Sequence, residues 1–158
     1  MHSKKLILIL DIANLKIKNQ HNMEHKTTES IFFFRGENIL ETKPNPDFKG
    51  ENTLEGAKEN LAIMNDFLHK NTLPKGLLSN LPSKYTKKEI LNYYHEHLNT
   101  DNLMVYSALI AGSYAAKFVL GILLKISARF ANDEDNTITK VFNNREDALK
   151  WLQENLVP

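Results

Sequence analysis

The chain has 158 residues, a length that predicts one domain with a core of its own. Hydrophobic residues make up 42% and charged residues 25%, the balance of a soluble globular protein, and the net charge of +1 argues against a general electrostatic grip on nucleic acid. Cysteine is absent, which excludes disulfides, zinc–thiolate sites, iron–sulfur clusters and cysteine nucleophiles.

The N-terminal segment differs from the rest of the chain. Its apolar run, Leu6 to Leu10, ends at Asp11, is too short for a secretory signal and has no cleavage site of small residues. A polar stretch without helical or strand period follows. We therefore expect residues 1–29 to form a loosely ordered extension, residues 30–158 to form the domain, and the protein to be cytoplasmic.

From Ser30 onward, predicted strands and helices alternate. Two apolar runs, 31–34 and 39–43, predict a hairpin whose turn contains Gly36, a residue free to take a positive φ. Asn52 predicts a helix start, with Glu55 completing a capping box. The apolar positions of this helix follow at helical spacing: Leu54, Ala57, Leu61, Met64 and Leu68.

The middle of the chain continues the alternation. A short central strand is predicted over 76–78, and a second capping box, Thr86 with Glu89, predicts the next helix. The apolar face of that helix is formed by Ile90, Leu91, Tyr94 and Leu98. A strand over 105–110 then leads through a Gly-Ser turn into an unusually apolar helix at 114–128.

A last strand is predicted over 137–142, followed by a helix that Asn144 caps together with Asp147. The element order is therefore β-β-α-β-α-β-α-β-α. Strands that alternate with helices predict parallel pairs, and the leading hairpin adds an antiparallel pair. We expect an α/β fold with a mixed sheet.

Three segments together resemble a known family. They are the hairpin followed by TLEGAKENLAIMNDFL, the strand, turn and helix ALIAGSYAAKFVLGILL, and the closing TKVFNNREDALKWLQENL. In this order they resemble STAS-like domains related to the anti-sigma-factor antagonist of sporulation, and more closely a bacterial STAS/CRAL-TRIO-like subgroup. The resemblance implies a sheet of about five strands with helices mainly on one face.

The resemblance also implies a role. Such domains mostly bind regulatory proteins, small ligands or nucleotides, and they are rarely catalysts. A serine at the start of the second helix is phosphorylated in the sporulation antagonists, which makes Thr86 the regulatory phosphosite candidate here. Ser79 stands where those relatives have an acidic residue. From the residues alone, Thr86 is better explained as a helix cap.

The turn at Gly112 and Ser113 is the candidate ligand or anion site, together with Tyr114 and Lys117. Backbone amides at a helix start can hold a carboxylate or phosphate, and Lys117 would lie one turn on. A tight turn with a helix cap explains the same residues without a ligand. No catalytic constellation and no cofactor motif is recognised. A metal site at His95 and His97 is not expected, since the two side chains point to different sides of a helix.

The apolar helix 114–128 has three interpretations: core of the domain, contact in a homodimer, or lining for an apolar ligand. It contains Lys117 and Lys125 and is short for a bilayer crossing, so stable membrane insertion is not expected. We predict a non-enzymatic regulatory module that acts through a protein partner or a homodimer. The alternatives are a carrier of an apolar small molecule or lipid and, third, a hydrolase or transferase using Ser113.

Overall fold

A computed structural model of the chain describes residues 23–81, 86–113 and 136–157. These residues form one sheet of six strands whose spatial order follows the chain. The strands are β1 (Met23–Lys26), β2 (Ser30–Arg35), β3 (Ile39–Pro44), β4 (Lys75–Asn80), β5 (Val105–Ile110) and β6 (Thr137–Phe142). The described helices are α1 (Leu54–Leu68), α2 (Lys88–His97) and α3 (Arg145–Asn155).

The sheet is mixed, as predicted. β1, β2 and β3 pair antiparallel, and β3, β4, β5 and β6 pair parallel. The α/β class is therefore confirmed, but the expected count of about five strands is wrong because β1 adds a sixth. All four side chains of β1 are exposed. A strand that buries neither face needs no alternation of apolar and polar residues, and so this strand gave no signal in the sequence. It also lies before Ser30, within the segment that we expected to be loosely ordered.

The predicted hairpin is confirmed. β2 pairs with β3 from Arg35 opposite Ile39 to Ser30 opposite Pro44. Gly36, in the turn between them, has a φ of +68°. A side chain is strained in this left-handed region, which is why glycine suits the turn.

Of the three described helices, one begins at the residue that the sequence predicted. Asn144 is the N-cap of α3, and its side chain accepts a hydrogen bond from the Asp147 amide, as predicted. α1 starts one residue later than expected, because the side chain of Thr53, and not of Asn52, caps it. The predicted capping box at Thr86 is wrong, since α2 begins at Lys88 and its N-cap residue, Lys87, makes no side-chain cap.

Both faces of the sheet carry helices. On the α1–α2 face, Phe32, Leu40, Leu77 and Val105 pack with Phe67 and Leu68 of α1. On the α3 face, Ile39, Leu78, Ala108 and Phe142 pack with Ala148 and Leu152 of α3. Successive residues of β3 and β4 contribute to opposite clusters because side chains alternate along a strand. Two of the three described helices therefore share one face, and the expectation of helices mainly on one face holds only in this limited sense.

The apolar helix predicted at 114–128 lies outside the described residues. Among the helices that are described, none has the length and the apolar character needed to cross a membrane.

Candidate functional site

A cavity of about 300 Å³ lies between the α1–α2 face of the sheet and the two helices. Thr42, Ser79 and Leu109 line it from β3, β4 and β5, all within the carboxyl-terminal halves of these parallel strands. In open α/β sheets, ligands bind outside the carboxyl ends of the strands, where loops and helix starts provide polar groups. The position of this cavity makes it the candidate site.

The walls of the cavity are mainly apolar. Met64 of α1, Ile90 and Leu91 of α2, and Leu109 of β5 contribute hydrocarbon surface. Leu91 is exposed to solvent, which places it at the opening, whereas Ile90 is buried. Apolar walls with a few placed polar groups are typical of sites for small molecules, and this volume lies at the lower end of their usual range.

The polar wall is organised by Asn60, a buried residue of α1. Its Nδ2 donates to Ser30 Oγ and to Tyr94 Oη, both at 2.9 Å. Its Oδ1 accepts from Thr27 Oγ1 at 2.7 Å. One amide thus joins the β1–β2 turn, β2 and α2, and we call Thr27, Ser30, Asn60 and Tyr94 the Asn60 cluster.

The Tyr94 hydroxyl is held in its protonated form. Burial raises its pKa, the hydrogen bond from Asn60 acts in the opposite direction, and the negative charge of Glu29 raises it further, with a net upward shift. A phenol with a raised pKa stays protonated through the physiological range. Tyr94 can therefore donate a hydrogen bond to a ligand, but it is unsuited to act as a base or a nucleophile.

Glu29 contributes a buried carboxylate to the cavity lining. Its Oε1 accepts from the Thr53 amide at 2.8 Å and from Thr53 Oγ1 at 2.6 Å, and its Oε2 accepts from Asn52 Nδ2 at 2.9 Å. The carboxylate thus occupies the N-terminus of α1, where the helix dipole favours a negative charge. Gly56 is in contact with it, since a Cβ at that position would overlap the carboxylate.

Lys43 also lines the cavity, but its ammonium group belongs to the other side of the sheet. The group lies 3.4 Å from Glu41 Oε1 and 5.1 Å from the centre of the Phe33 ring. Thr42 and Lys43 point to opposite faces because they are neighbours in β3. Among the described lining residues, Glu29 is therefore the charged group that the cavity meets.

A second polar group, the Glu41 cluster, lies on the α3 face. Glu41 is fully buried, and Arg145 binds it through two bonds, Nε to Oε1 at 2.6 Å and Nη2 to Oε2 at 2.8 Å. Arg35 Nε donates to Oε2 at 2.8 Å. Burial raises the pKa of Glu41, but the hydrogen bonds from Arg145 and Arg35 and the charges of Arg145 and Lys43 outweigh it and lower the pKa from 4.5 to about 2. This cluster ties α3 to β3 and β2.

The structure brings one of the candidates predicted from sequence to the cavity. Thr86 is half-buried and lines it, although it does not cap α2. Gly112 and Ser113 follow β5, are exposed, and are not among the described lining residues. Tyr114 and Lys117 lie outside the described residues. The predicted ligand turn and the cavity are thus separate features in the part of the chain that the structure describes.

Glu29, Ser30 and Asn60 were missed by sequence reasoning. Asn60 carried a usable signal, because it lies at helical spacing between Ala57 and Met64 on the apolar face of α1. A polar residue on a buried face needs hydrogen-bond partners, which predicts a polar cluster at that point. Glu29 gave no signal, since its place at the start of α1 depends on how the β1–β2 turn packs.

The histidines of α2 do not form a site. His95 and His97 are exposed, and the His97 ring stacks on Tyr93 with ring centres 4.0 Å apart. Over residues 23–81, 86–113 and 136–157, no group of three or more histidine, aspartate or glutamate side chains is placed to hold a metal ion.

Comparisons of the chain with models of protein families, with curated proteins and with solved structures found no match. The resemblance to STAS-like domains stays a prediction.

Proposed function

We propose that the chain is a non-enzymatic binding domain that holds a small, mainly apolar molecule in the cavity between the sheet, α1 and α2. The observation that carries the proposal is the cavity itself: about 300 Å³, at the carboxyl ends of β3, β4 and β5, with apolar walls and one organised polar wall. This proposal takes up the carrier alternative of the sequence analysis and rests on a cavity lined by residues of α1 and α2.

The chemistry of the lining supports binding more than catalysis. Tyr94 is held protonated by its raised pKa, and both oxygens of the Glu29 carboxylate are already engaged by Thr53 and Asn52. The described lining contains no histidine, and the hydroxyls of Thr42 and Ser79 have no base beside them among its residues. Hydroxyl nucleophiles normally need an adjacent base.

We also propose that the domain is regulatory, with the ligand in the cavity altering the arrangement of α1 and α2. A ligand between α1 and α2 shifts the arrangement of these helices only if it binds one arrangement more tightly than another. Contact with a protein partner or a second copy of the chain, the function favoured from the sequence, stays a prediction, and so does a cytoplasmic location. Thr86, beside the cavity and ahead of α2, stays the phosphosite candidate.

Cavity-filling variants test the proposal. The probe is 2-ethylnaphthalene, a neutral apolar molecule, titrated into the full chain while backbone amide NMR signals are followed. We expect saturable shifts at Ser79, Asn80 and Tyr94, and loss of binding in Leu109→Trp and Met64→Trp, whose larger side chains occupy the space. Leu73→Trp is the matched control, because Leu73 is exposed and outside the lining.

Circular dichroism establishes that each variant is folded before its binding is compared. Absence of saturable binding to the wild-type chain contradicts the proposal. Binding that survives in folded Leu109→Trp and Met64→Trp contradicts it too, because the probe would then occupy another surface.

A further inference from the structure

The orientation of the Asn60 amide decides which groups in the cavity can donate hydrogen bonds. The contact with Thr27 Oγ1 is 2.7 Å, a distance typical of O–H···O bonds, and the contacts with Ser30 and Tyr94 are 2.9 Å, typical of N–H···O bonds. Thr27 Oγ1 accepts from the Ser30 amide at 3.0 Å, and its own proton has two acceptors in reach, Asn60 Oδ1 at 2.7 Å and the Ser30 carbonyl oxygen at 3.3 Å, of which Asn60 is the nearer. The distances therefore place the NH₂ group toward Ser30 and Tyr94.

This orientation leaves two hydroxyl protons without a partner in the described part of the chain. Ser30 Oγ and Tyr94 Oη both accept from Asn60, so each must direct its own proton elsewhere. No described group accepts either proton. Ser30 is only 8% exposed, and both side chains line the cavity. Two donors held by one amide thus face the same space.

The charged groups of the described lining disfavour an anion. Glu29 lines the same cavity, and the ammonium group of Lys43, the other charged lining residue described, is engaged by Glu41 on the opposite face. An anionic ligand would lose its hydration, meet a carboxylate and find no described cation to compensate it. A neutral acceptor avoids this cost and still uses both donors.

We propose that the molecule in the cavity presents a neutral carbonyl oxygen, as a ketone, ester or amide does, to the hydroxyls of Ser30 and Tyr94. Its hydrocarbon part lies against Met64, Ile90 and Leu109. The inference rests on the proposed binding function and adds the chemical class of the ligand. It also separates the site from a fatty-acid carrier, whose ligand is an anion at neutral pH.

Three probes of nearly equal shape test the inference: 2-acetylnaphthalene, 2-ethylnaphthalene and 2-naphthoate, titrated at pH 7 into the full chain and followed by the same amide NMR signals. We expect 2-acetylnaphthalene to bind about tenfold more tightly than 2-ethylnaphthalene, since it gains two hydrogen bonds. We expect 2-naphthoate to bind more weakly than either.

Two variants remove one donor each. In Tyr94→Phe and in Ser30→Ala, we expect the ratio of the affinities for 2-acetylnaphthalene and 2-ethylnaphthalene to fall several-fold. The ratio is the readout, because each substitution also alters the wall that both probes contact. Tyr93→Phe is the matched control: it removes a phenol from the neighbouring position of α2, which is not in the lining.

The outcomes distinguish the two proposals. If 2-naphthoate binds best, or if the acetyl and ethyl probes bind equally, the carbonyl inference is overturned and the binding function stands. If none of the three probes binds saturably, the binding function itself fails. An acetyl advantage that persists in both folded variants also overturns the inference.

Discussion

The Asn60 cluster and the Glu41 cluster are both polar groups on the same sheet, one on each face, and they differ in how completely they are satisfied. Around Glu41, three cations surround one buried carboxylate, and both carboxylate oxygens are bound. Around Asn60, the amide is fully used but two hydroxyl protons remain free within the described residues. A saturated network holds elements together, and a network with spare donors next to a cavity can hold something else as well.

The largest effect that separates the clusters is expected from Glu41→Gln. The change keeps the volume but leaves Arg35, Lys43 and Arg145 without their counter-charge. Removing one partner of a buried ion pair costs roughly 3–5 kcal/mol. We expect Glu41→Gln to lower the free energy of unfolding, measured in urea, by about 2–3 kcal/mol. The loss is smaller than for a fully buried pair because the three cations are each 31–39% exposed and water can solvate them.

Glu24→Gln is the matched control for this prediction. Glu24 also lies on the sheet, but its side chain is 46% exposed and its nearest cation, Lys26, is 4.0 Å away. We expect a change of less than about 0.5 kcal/mol. Equal effects of the two substitutions would contradict the structural role of the Glu41 cluster.

Acid is the second test of the comparison. The folded state holds the pKa of Glu41 at about 2, below 4.5, so between these values the unfolded chain binds more protons. The contribution of Glu41 to stability is therefore fully present above pH 4.5 and is lost as pH falls toward 2, an interval worth about 3 kcal/mol. We expect urea unfolding of the wild type to weaken steeply through this interval and that of Glu41→Gln to weaken less. Parallel curves would contradict the prediction.

Within the two clusters, the smallest effect on stability is expected from Tyr94→Phe. Its hydroxyl accepts one hydrogen bond, from Asn60, and donates none to a described residue, so we expect a loss of about 1 kcal/mol or less in urea unfolding. Tyr93→Phe should be neutral beside it. A loss well above about 3 kcal/mol exceeds what an unpaired Asn60 N–H accounts for and would contradict the role of the Tyr94 hydroxyl as a free donor.

Local signals in the sequence predicted most of the sheet and part of the helix chemistry. The strands at Ser30–Arg35 and Val105–Ile110 follow from short, mainly apolar runs, and the strand at Thr137–Phe142 follows from its β-branched residues. The cap at Asn144 follows from its position before an apolar helical period. Thr86 satisfied the same local rule and was wrong, because α2 begins two residues later, at Lys88. A capping pattern indicates a local preference, which tertiary packing can override.

The candidate site could be predicted only in fragments. Tyr94 was placed on the apolar face of α2, which is correct for its ring but says nothing of its hydroxyl. Ser30, Asn60 and Tyr94 are far apart in sequence and meet because α1 and α2 pack on the same face of the sheet. Periodicity identifies a face, whereas the partner of a polar group on that face depends on tertiary packing.

The contact between Glu29 and Gly56 has a consequence for sequence variation. The carboxylate fills the place that a side chain at position 56 would take, so the two positions share one volume. A longer residue at position 56 fits only if position 29 becomes shorter, and the start of α1 then needs another anion or cap. Substitutions at 29 and 56 are therefore expected to occur in pairs, which would make this contact visible as covariation wherever enough relatives of the chain can be aligned.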